Sequence, residues 1–257
     1  MDAIQIVLMS ALEGNHWWYR ATHELVESCI LKFVGRDKAF FDAGCGTGGL
    51  IKTLATLGTV RGCDANSLCV RLARKRTPAK YRANIYEHSI EGIHEHEQGR
   101  FDCITCIDVL YHKGVKNWRS ALRDLTCMLN PGGHLILQVP AFSALQGSHD
   151  NAVHGERRFR LPEIQCAMEE YGMQPRLITY RLSYLFPIML LRRLTSRIMT
   201  KDSYKSDFED MQQRAEWVER MCEGAALRFS RIENRLLLRG VRAPFGSSLF
   251  VIARSIK

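Results

Sequence analysis

"FFDAGCGTGGL", Phe40 to Leu50, is the stretch on which the reading of this chain turns. Two aromatics and the acid Asp42 run into Gly44, Gly46, Gly48 and Gly49. Glycines let a backbone turn sharply and approach a ligand with no Cβ in the way. The helical pattern that follows, "GLIKTLATLG", adds the unpaired N–H groups and partial positive charge of a helix start. Gly44, Gly46 and Gly49 satisfy G-x-G-x-x-G, the dinucleotide fingerprint. Asp42, Gly44, Gly46 and Gly48 equally satisfy D-x-G-x-G-x-G. From these residues alone a dinucleotide loop, a loop for another nucleoside and a plain strand-to-helix turn all stay open.

Outward from the loop, short apolar runs alternate with helical patterns. "TVRGCDA" reads as the next strand and "NSLCVRLARKR" as a helix capped by Asn66 or Ser67. "FDCITCIDVLYH" is a third clear strand. "NWRSALRDLTCMLNPGG" is a helix whose stop is signalled by Asn130, Pro131 and two glycines, and "HLILQVP" is a strand closed by Pro140. Strands alternating with helices of this length predict an α/β fold, a Rossmann-like, doubly wound and mostly parallel sheet. Asp64 ends the second of these strands, 18 residues past Gly46. An acid there can accept both ribose hydroxyls of a nucleoside, whichever nucleoside it is.

After residue 140 the pattern changes. "AFSALQGSHDNAVHGERRFRLPEIQCAMEEYG" is polar and rich in His and Arg until a helix starts near Leu161 and Pro162. "LITYRLSYLFPIMLLRRLTSRIM" runs from a strand into an apolar, Arg-punctuated segment. A helix, "QRAEWVERMCEGAALRFSRIENRLLLRG", and a last strand, "SSLFVIARS", close the chain. The expectation is one domain over residues 1–257, with an N-terminal helical lid at 1–35 and an inserted helical cap at about 186–240.

The chain's 257 residues, 46% of them apolar or aromatic and 25% charged, suit a globular protein with a substantial core. No run reaches the roughly 18 apolar residues of a membrane span. Asp2 and the absence of a basic leading region speak against a signal peptide, so a cytoplasmic location is expected. Nine cysteines, an odd number, fit that reading better than a disulfide framework. Cys103 and Cys106 have C-x-x-C spacing but sit inside a strand with no second pair, so they read as small apolar residues and no metal is expected. Net charge is +9. Residues 1–150 hold 17 Lys and Arg against 15 acids, and residues 151–257 hold 19 against 12. That asymmetry points to an acidic substrate, a phosphate or an anionic surface near the second part.

"FFDAGCGTGGL", "RGCDANSLCVRLARKR", "FDCITCIDVLYH" and "LNPGGHLILQVP", in that order, resemble the successive motifs of class I S-adenosylmethionine (SAM)-dependent methyltransferases. "EGNHWWYRATHEL", "SHDNAVHGERRFRLPEI" and "VRAPFGSSLFVIARS" resemble the entry segment, substrate-side loop and closing strand of a bacterial small-molecule branch of that superfamily. The resemblance implies a seven-stranded sheet and SAM as cofactor. It also implies roles: Asp42, Gly44 and Gly46 for the methionine portion, Asp64 for the ribose, and Ser89 with Ile90 framing the adenine. Many members carry an acid where Ser89 stands. Asp108, ending its strand at the carboxyl edge, would sit beside the cofactor. Of Trp17, Trp18, Tyr19 and Arg20, the resemblance favours a lid with Tyr19 and Arg20 facing the ligands and Trp18 near the substrate.

Methyl transfer needs an aligned nucleophile, exclusion of water and, for a hydroxyl or ammonium acceptor, a base. His149, His112 and His154 are the candidates, with Asp150 able to orient an imidazole, and His149 follows the strand expected to end at the cofactor mouth. Arg157 and Arg158 could clamp a carboxylate or phosphate on the acceptor. "LFPIMLLRRLTSRIM" fits a cap over the acceptor pocket, a homodimer contact or an interfacial helix with Arg192, Arg193 and Arg197 at lipid headgroups. Arg228, Arg231, Arg235 and Arg239 share a helical face, either a solvated stripe or a mark of phosphate or lipid-linked substrates. No nucleic-acid motif is present. The expected function is methyl transfer to O or N of a small molecule. Its rivals are chemistry on the aminocarboxypropyl arm of SAM that releases methylthioadenosine, a SAM-fold binding protein without turnover, and a nicotinamide oxidoreductase.

Overall fold

In a computed structural model the described residues are 3–97, 100–146, 155–191 and 223–256. Helices α1 (Ala3–Leu12) and α2 (Trp17–Phe33) precede β1 (Lys38–Ala43), α3 (Gly49–Leu54), β2 (Gly58–Asp64), α4 (Ser67–Arg76) and β3 (Ile85–Glu87). A short α5 (Ile93–His96), β4 (Phe101–Ile107), α6 (Trp118–Cys127), β5 (Leu129–Pro140), α7 (Leu161–Glu170) and β6 (Met173–Arg181) follow. Helical residues 186–191 (α8) and 223–238 (α9) stand before the closing β7 (Ser248–Ser255).

The strands form one seven-stranded sheet in the order β3-β2-β1-β4-β5-β7-β6. β7 runs antiparallel to both its neighbours, and the remaining pairs are parallel. The two phenylalanines before the glycine loop show why helices cover both faces. Successive strand residues point to opposite sides. Phe40 therefore packs with Leu25, Ile30 and Ile51 on one face, and Phe41 with Phe101, Leu122 and Leu135 on the other. Each fully buried ring contributes about 1.5–3 kcal/mol of transfer free energy. The alternating pattern thus gives the doubly wound, mostly parallel α/β sheet expected from the sequence.

Local signals resolve in instructive ways. Asn66 is the cap of α4, its Oδ1 accepting from the N–H groups of Leu68 and Cys69. The strand expected through His112 stops at Ile107, because Asp108 takes a positive φ of 54°. Helix α6 ends at Cys127, before the expected Asn130-Pro131-Gly-Gly stop, and those four residues lie within the span of β5. Phe101 pairs with Leu129 and Cys103 with His134, so the extra residues bulge opposite Asp102. Asn130 fastens that bulge by donating to Asp102 Oδ1 at 3.0 Å. Cys103 and Cys106 are buried in β4 with thiols pushed up by burial, the state of small apolar residues. Among the described residues no helix is long and apolar enough to cross a membrane, and no His/Cys/Asp/Glu group could hold a metal ion.

Candidate functional site

The glycine loop joins β1 to α3 at the carboxyl edge of the sheet, where open α/β folds bind ligands. Its first turn is fixed by Gly44 and Cys45, whose N–H groups both donate to the Cys63 carbonyl, at 2.9 and 2.8 Å. Gly44 has φ 72°, and a Cβ there would lie 2.5 Å from Val109 Cγ2. Gly48, the cap of α3, has φ 88°, and its Cβ would lie 2.8 Å from Ala73 Cα on α4. Only glycine satisfies both the backbone and the space at these two positions.

Three of the predicted acids ring this loop. Asp42, at the end of β1, is buried, and its Oδ1 accepts from Thr105 Oγ1 at 2.6 Å. Burial pushes its carboxyl up to about 7, the Thr105 bond opposes this, and the charges of Glu13 and Asp64 push further up. Asp64, at the end of β2, is half-buried and accepts the Gly46 N–H on Oδ2 and the Asn66 N–H on Oδ1, both at 2.9 Å. It therefore splints the loop to β2, and burial still holds its carboxyl above the usual range. Asp108, just past β4, is also half-buried, and its Oδ2 accepts from Gln138 Nε2 at 2.9 Å. Burial pushes it up to about 6, against the Gln138 bond and the nearby charges of Arg181 and Arg158.

A fourth acid, not anticipated, comes from the N-terminal segment. Glu13 follows α1 and is buried against the loop. Its Oε2 accepts from Thr47 Oγ1 at 2.5 Å and pairs with the Arg76 guanidinium, which also bonds Ser10. Burial raises its carboxyl, and the Thr47 bond and Arg76 offset part of that. On α2, Tyr19 is half-buried, with its hydroxyl pushed up first by burial and then by the charges of Glu13 and Asp108. Its ring meets Trp18 edge to face at 4.9 Å. His23, one turn on, is held down to about 4 by burial, so it is neutral at physiological pH. Its Cε1 would lie 2.9 Å from a Cβ on Gly49.

The remaining predicted residues are distributed as follows. Arg20 is exposed, one turn from Glu24, whose carboxyl is held low first by its Arg231 hydrogen bond and least by Arg20. Ser89 caps its own turn by accepting the Glu91 N–H at 3.2 Å, and Ile90 is buried in the core. His112 stacks on Tyr111 with centroids 4.4 Å apart and bridges to Gly155. Arg157 pairs with Glu163 at 2.7 Å and lies over the rings of Trp118 and Phe159, so it is committed to packing. Arg158 donates to the Ala141 carbonyl at 3.0 Å. His149, Asp150, His154, Arg192, Arg193 and Arg197 lie outside the described residues. Glu13 and His23 carry no motif. Thr105 and Gln138 had a legible signal: each is a polar residue with apolar neighbours on both sides in its strand.

Residues 40–133 match the family model described as "Methyltransferase domain". A ubiquinone biosynthesis O-methyltransferase from Albidiferax ferrireducens is 34% identical over 145 residues, covering 51% of this chain and 56% of that protein. The chain spans little more than half the length of the curated relatives it matches. Among solved structures, the plantazolicin methyltransferase BamL, in complex with a triazolic desmethylPZN analog and SAH, aligns with a TM-score of 0.60 at 13% identity. The alignment covers 98% of this chain and 90% of that one. The [4+2]-cyclase SpnF aligns with a TM-score of 0.54 at 13% identity, over 93% and 83%. These alignments show the fold. With the matched segment at residues 40–133, they show a methyltransferase-type fold.

Proposed function

We propose that this chain, with its class I methyltransferase fold, binds SAM in the glycine cradle between β1 and β2 and methylates a small molecule. One observation carries the reading: Glu13, Asp42, Asp64 and Asp108 all surround the cradle with carboxyls raised by burial. Such a site is relieved by a cation and loaded further by an anion. A dinucleotide would bring a pyrophosphate to four acids, and the Gly46 N–H is already given to Asp64. The residues therefore fit the sulfonium and ammonium of SAM and oppose a nicotinamide cofactor.

When bound, SAM supplies a methyl group already activated on sulfur. The chain's own residues then bind, orient and shield. Asp42 and Asp108 offer carboxylate oxygens to the ammonium portion, and Asp64 retains lone pairs for ribose hydroxyls beyond its two backbone bonds. Tyr19 and the helices at 1–35 form a lid that excludes water, while most of the cap expected at about 186–240 lies outside the described residues. Ser89 and Ile90 border the adenine end. His112, together with His149 and His154, is the set from which a base for the acceptor proton is drawn, and Arg158 faces an acceptor group near Asp108. Oxygen is favoured as the acceptor atom, because the curated relatives are named as O-methyltransferases. The family-model match at 40–133 is confined to the cofactor half, so the acceptor itself is not carried over.

The test combines calorimetry of SAM, S-adenosylhomocysteine and NADH with mass spectrometry of SAM incubated with protein and a small-molecule extract. SAM binding that is lost in Asp64→Ala, with S-adenosylhomocysteine formed only when extract is present, is the expected result. Tight NADH binding without SAM binding overturns the cofactor. Methylthioadenosine from SAM alone overturns methyl transfer.

A further inference from the structure

Behind Asp108 lies a chain of buried polar groups that the cradle does not use. Gln138, near the end of β5, is fully buried, and so is Arg181, the last residue of β6. Arg181 Nη1 donates to Gln138 Oε1 at 2.7 Å and to Thr22 Oγ1 of α2 at 2.8 Å. Its Nε donates to Asn234 Oδ1 of α9 at 3.3 Å. Its Nη2 is buried with no hydrogen-bond partner among the described residues, and no carboxylate among them stands within ion-pair distance of the guanidinium.

A buried cation without a contacting counter-ion is costly, and an apolar side chain of similar volume packs such a space as well or better. Packing therefore does not explain an arginine here. What the charge does is orient an amide. A guanidinium has donors only, so the atom of Gln138 that faces it must be the oxygen. The Gln138 NH₂ is then turned towards Asp108, and its Nε2 donates to Oδ2 at 2.9 Å. Asp108 itself holds a positive φ of 54°, a conformation that non-glycine residues adopt at a cost and that concentrates at functional sites.

Resting on the proposed cofactor site, we infer that Arg181 and Gln138 are positioning residues that keep Asp108 ionised and aimed at the cleft, ready for a cationic group. Burial holds the Arg181 guanidinium down to about 10 against the charges of Glu233 on α9 and then Asp108, so it stays charged at neutral pH. The other groups acting on Asp108 are Arg158 from the segment after β5, Tyr19 from α2 and Cys106 on β4. Of these only Arg158 is a cation, so removing Arg181 leaves the carboxylate with much less support.

The experiment follows the carboxyl ¹³C resonance of Asp108 through a pH titration of the full chain, assigned by its loss in Asp108→Asn. Gln138→Met and Arg181→Met are each expected to raise the midpoint by about one pH unit, a tenfold loss of the ionised form at the acid end. Arg181→Lys, which restores a cation, should bring the midpoint back towards the wild-type value. A midpoint unmoved in Gln138→Met and in whichever Arg181 variant folds overturns the inference, and lowered thermal stability alone then marks a structural role. Calorimetry of SAM at pH 5.5–8 separates the two readings. Absence of SAM binding by the wild type at every pH defeats the proposed function, while the titration still decides the role of Arg181 and Gln138.

Discussion

Asp42→Asn tests whether the cradle is under electrostatic load before any ligand arrives. The carboxyl of Asp42 moves from 3.8 in the unfolded chain to about 7 in the folded one. Between those values the native state holds a proton that the unfolded state has released. Stability therefore falls as pH rises through that window and is level above it. About three units at 1.36 kcal/mol each give about 4 kcal/mol as a ceiling. Asp42 shares its load with Glu13 and Asp64, so part of the relief in a variant passes to them. Asparagine keeps an oxygen for Thr105 Oγ1 and removes only the charge. Urea unfolding without ligand at pH 4.5 and pH 8 is the assay. The wild type should lose about 2–3 kcal/mol more than Asp42→Asn between the two. At a typical 2–4 °C per kcal/mol for a domain of this size, thermal midpoints resolve the same difference. Parallel pH–stability curves for the two proteins would refute the argument, because they would mean that Asp42 is ionised at little cost.

Two further substitutions separate the cradle from its surroundings. Gly48→Ala forces an L-residue to φ 88° with a Cβ 2.8 Å from the α4 backbone, so the fold should lose about 2 kcal/mol or more. An unchanged urea midpoint would show that α3 and α4 can part. Arg157→Ala removes an ion pair whose side chains are 39% and 30% exposed, together with stacking on two rings. After allowance for solvent screening, it should cost about 1 kcal/mol or less and leave SAM affinity unchanged. A large loss of that affinity would put Arg157 back among the ligand contacts.

The parts of the molecule legible in the sequence are those set by local pattern. The period-two alternation in "KAFFDA", the glycines and the capping Asn66 each act within a few residues of themselves. The sheet, its direction and the positions of Asp42, Asp64 and Asp108 follow from them. What was not legible depends on how distant segments meet. Glu13 becomes part of the site only because α1 lies across the loop and Arg76 of α4 reaches back to it. Arg157 could not be told from a ligand clamp until Glu163 and Trp118 were placed against it. β3, three residues long, is set by its pairing with β2 and not by a run of its own.

Net charge shows how little composition says about the cradle itself. The chain carries +9, which favoured an acidic partner. Yet arginines of the basic half are tied up by the chain itself: Arg231 pairs with Glu24 across α9 and α2, Arg157 pairs with Glu163, and Arg181 is buried behind Gln138. The cradle meanwhile gathers four acids, with Arg76 turned onto Glu13 as the cation in direct contact with one of them. A ligand responds to the local field in a low-dielectric cleft far more than to the total charge of the chain. A basic protein can thus present an acidic pocket. The cost of confining those carboxyls is the reason the proposed site calls for a cation and not a pyrophosphate.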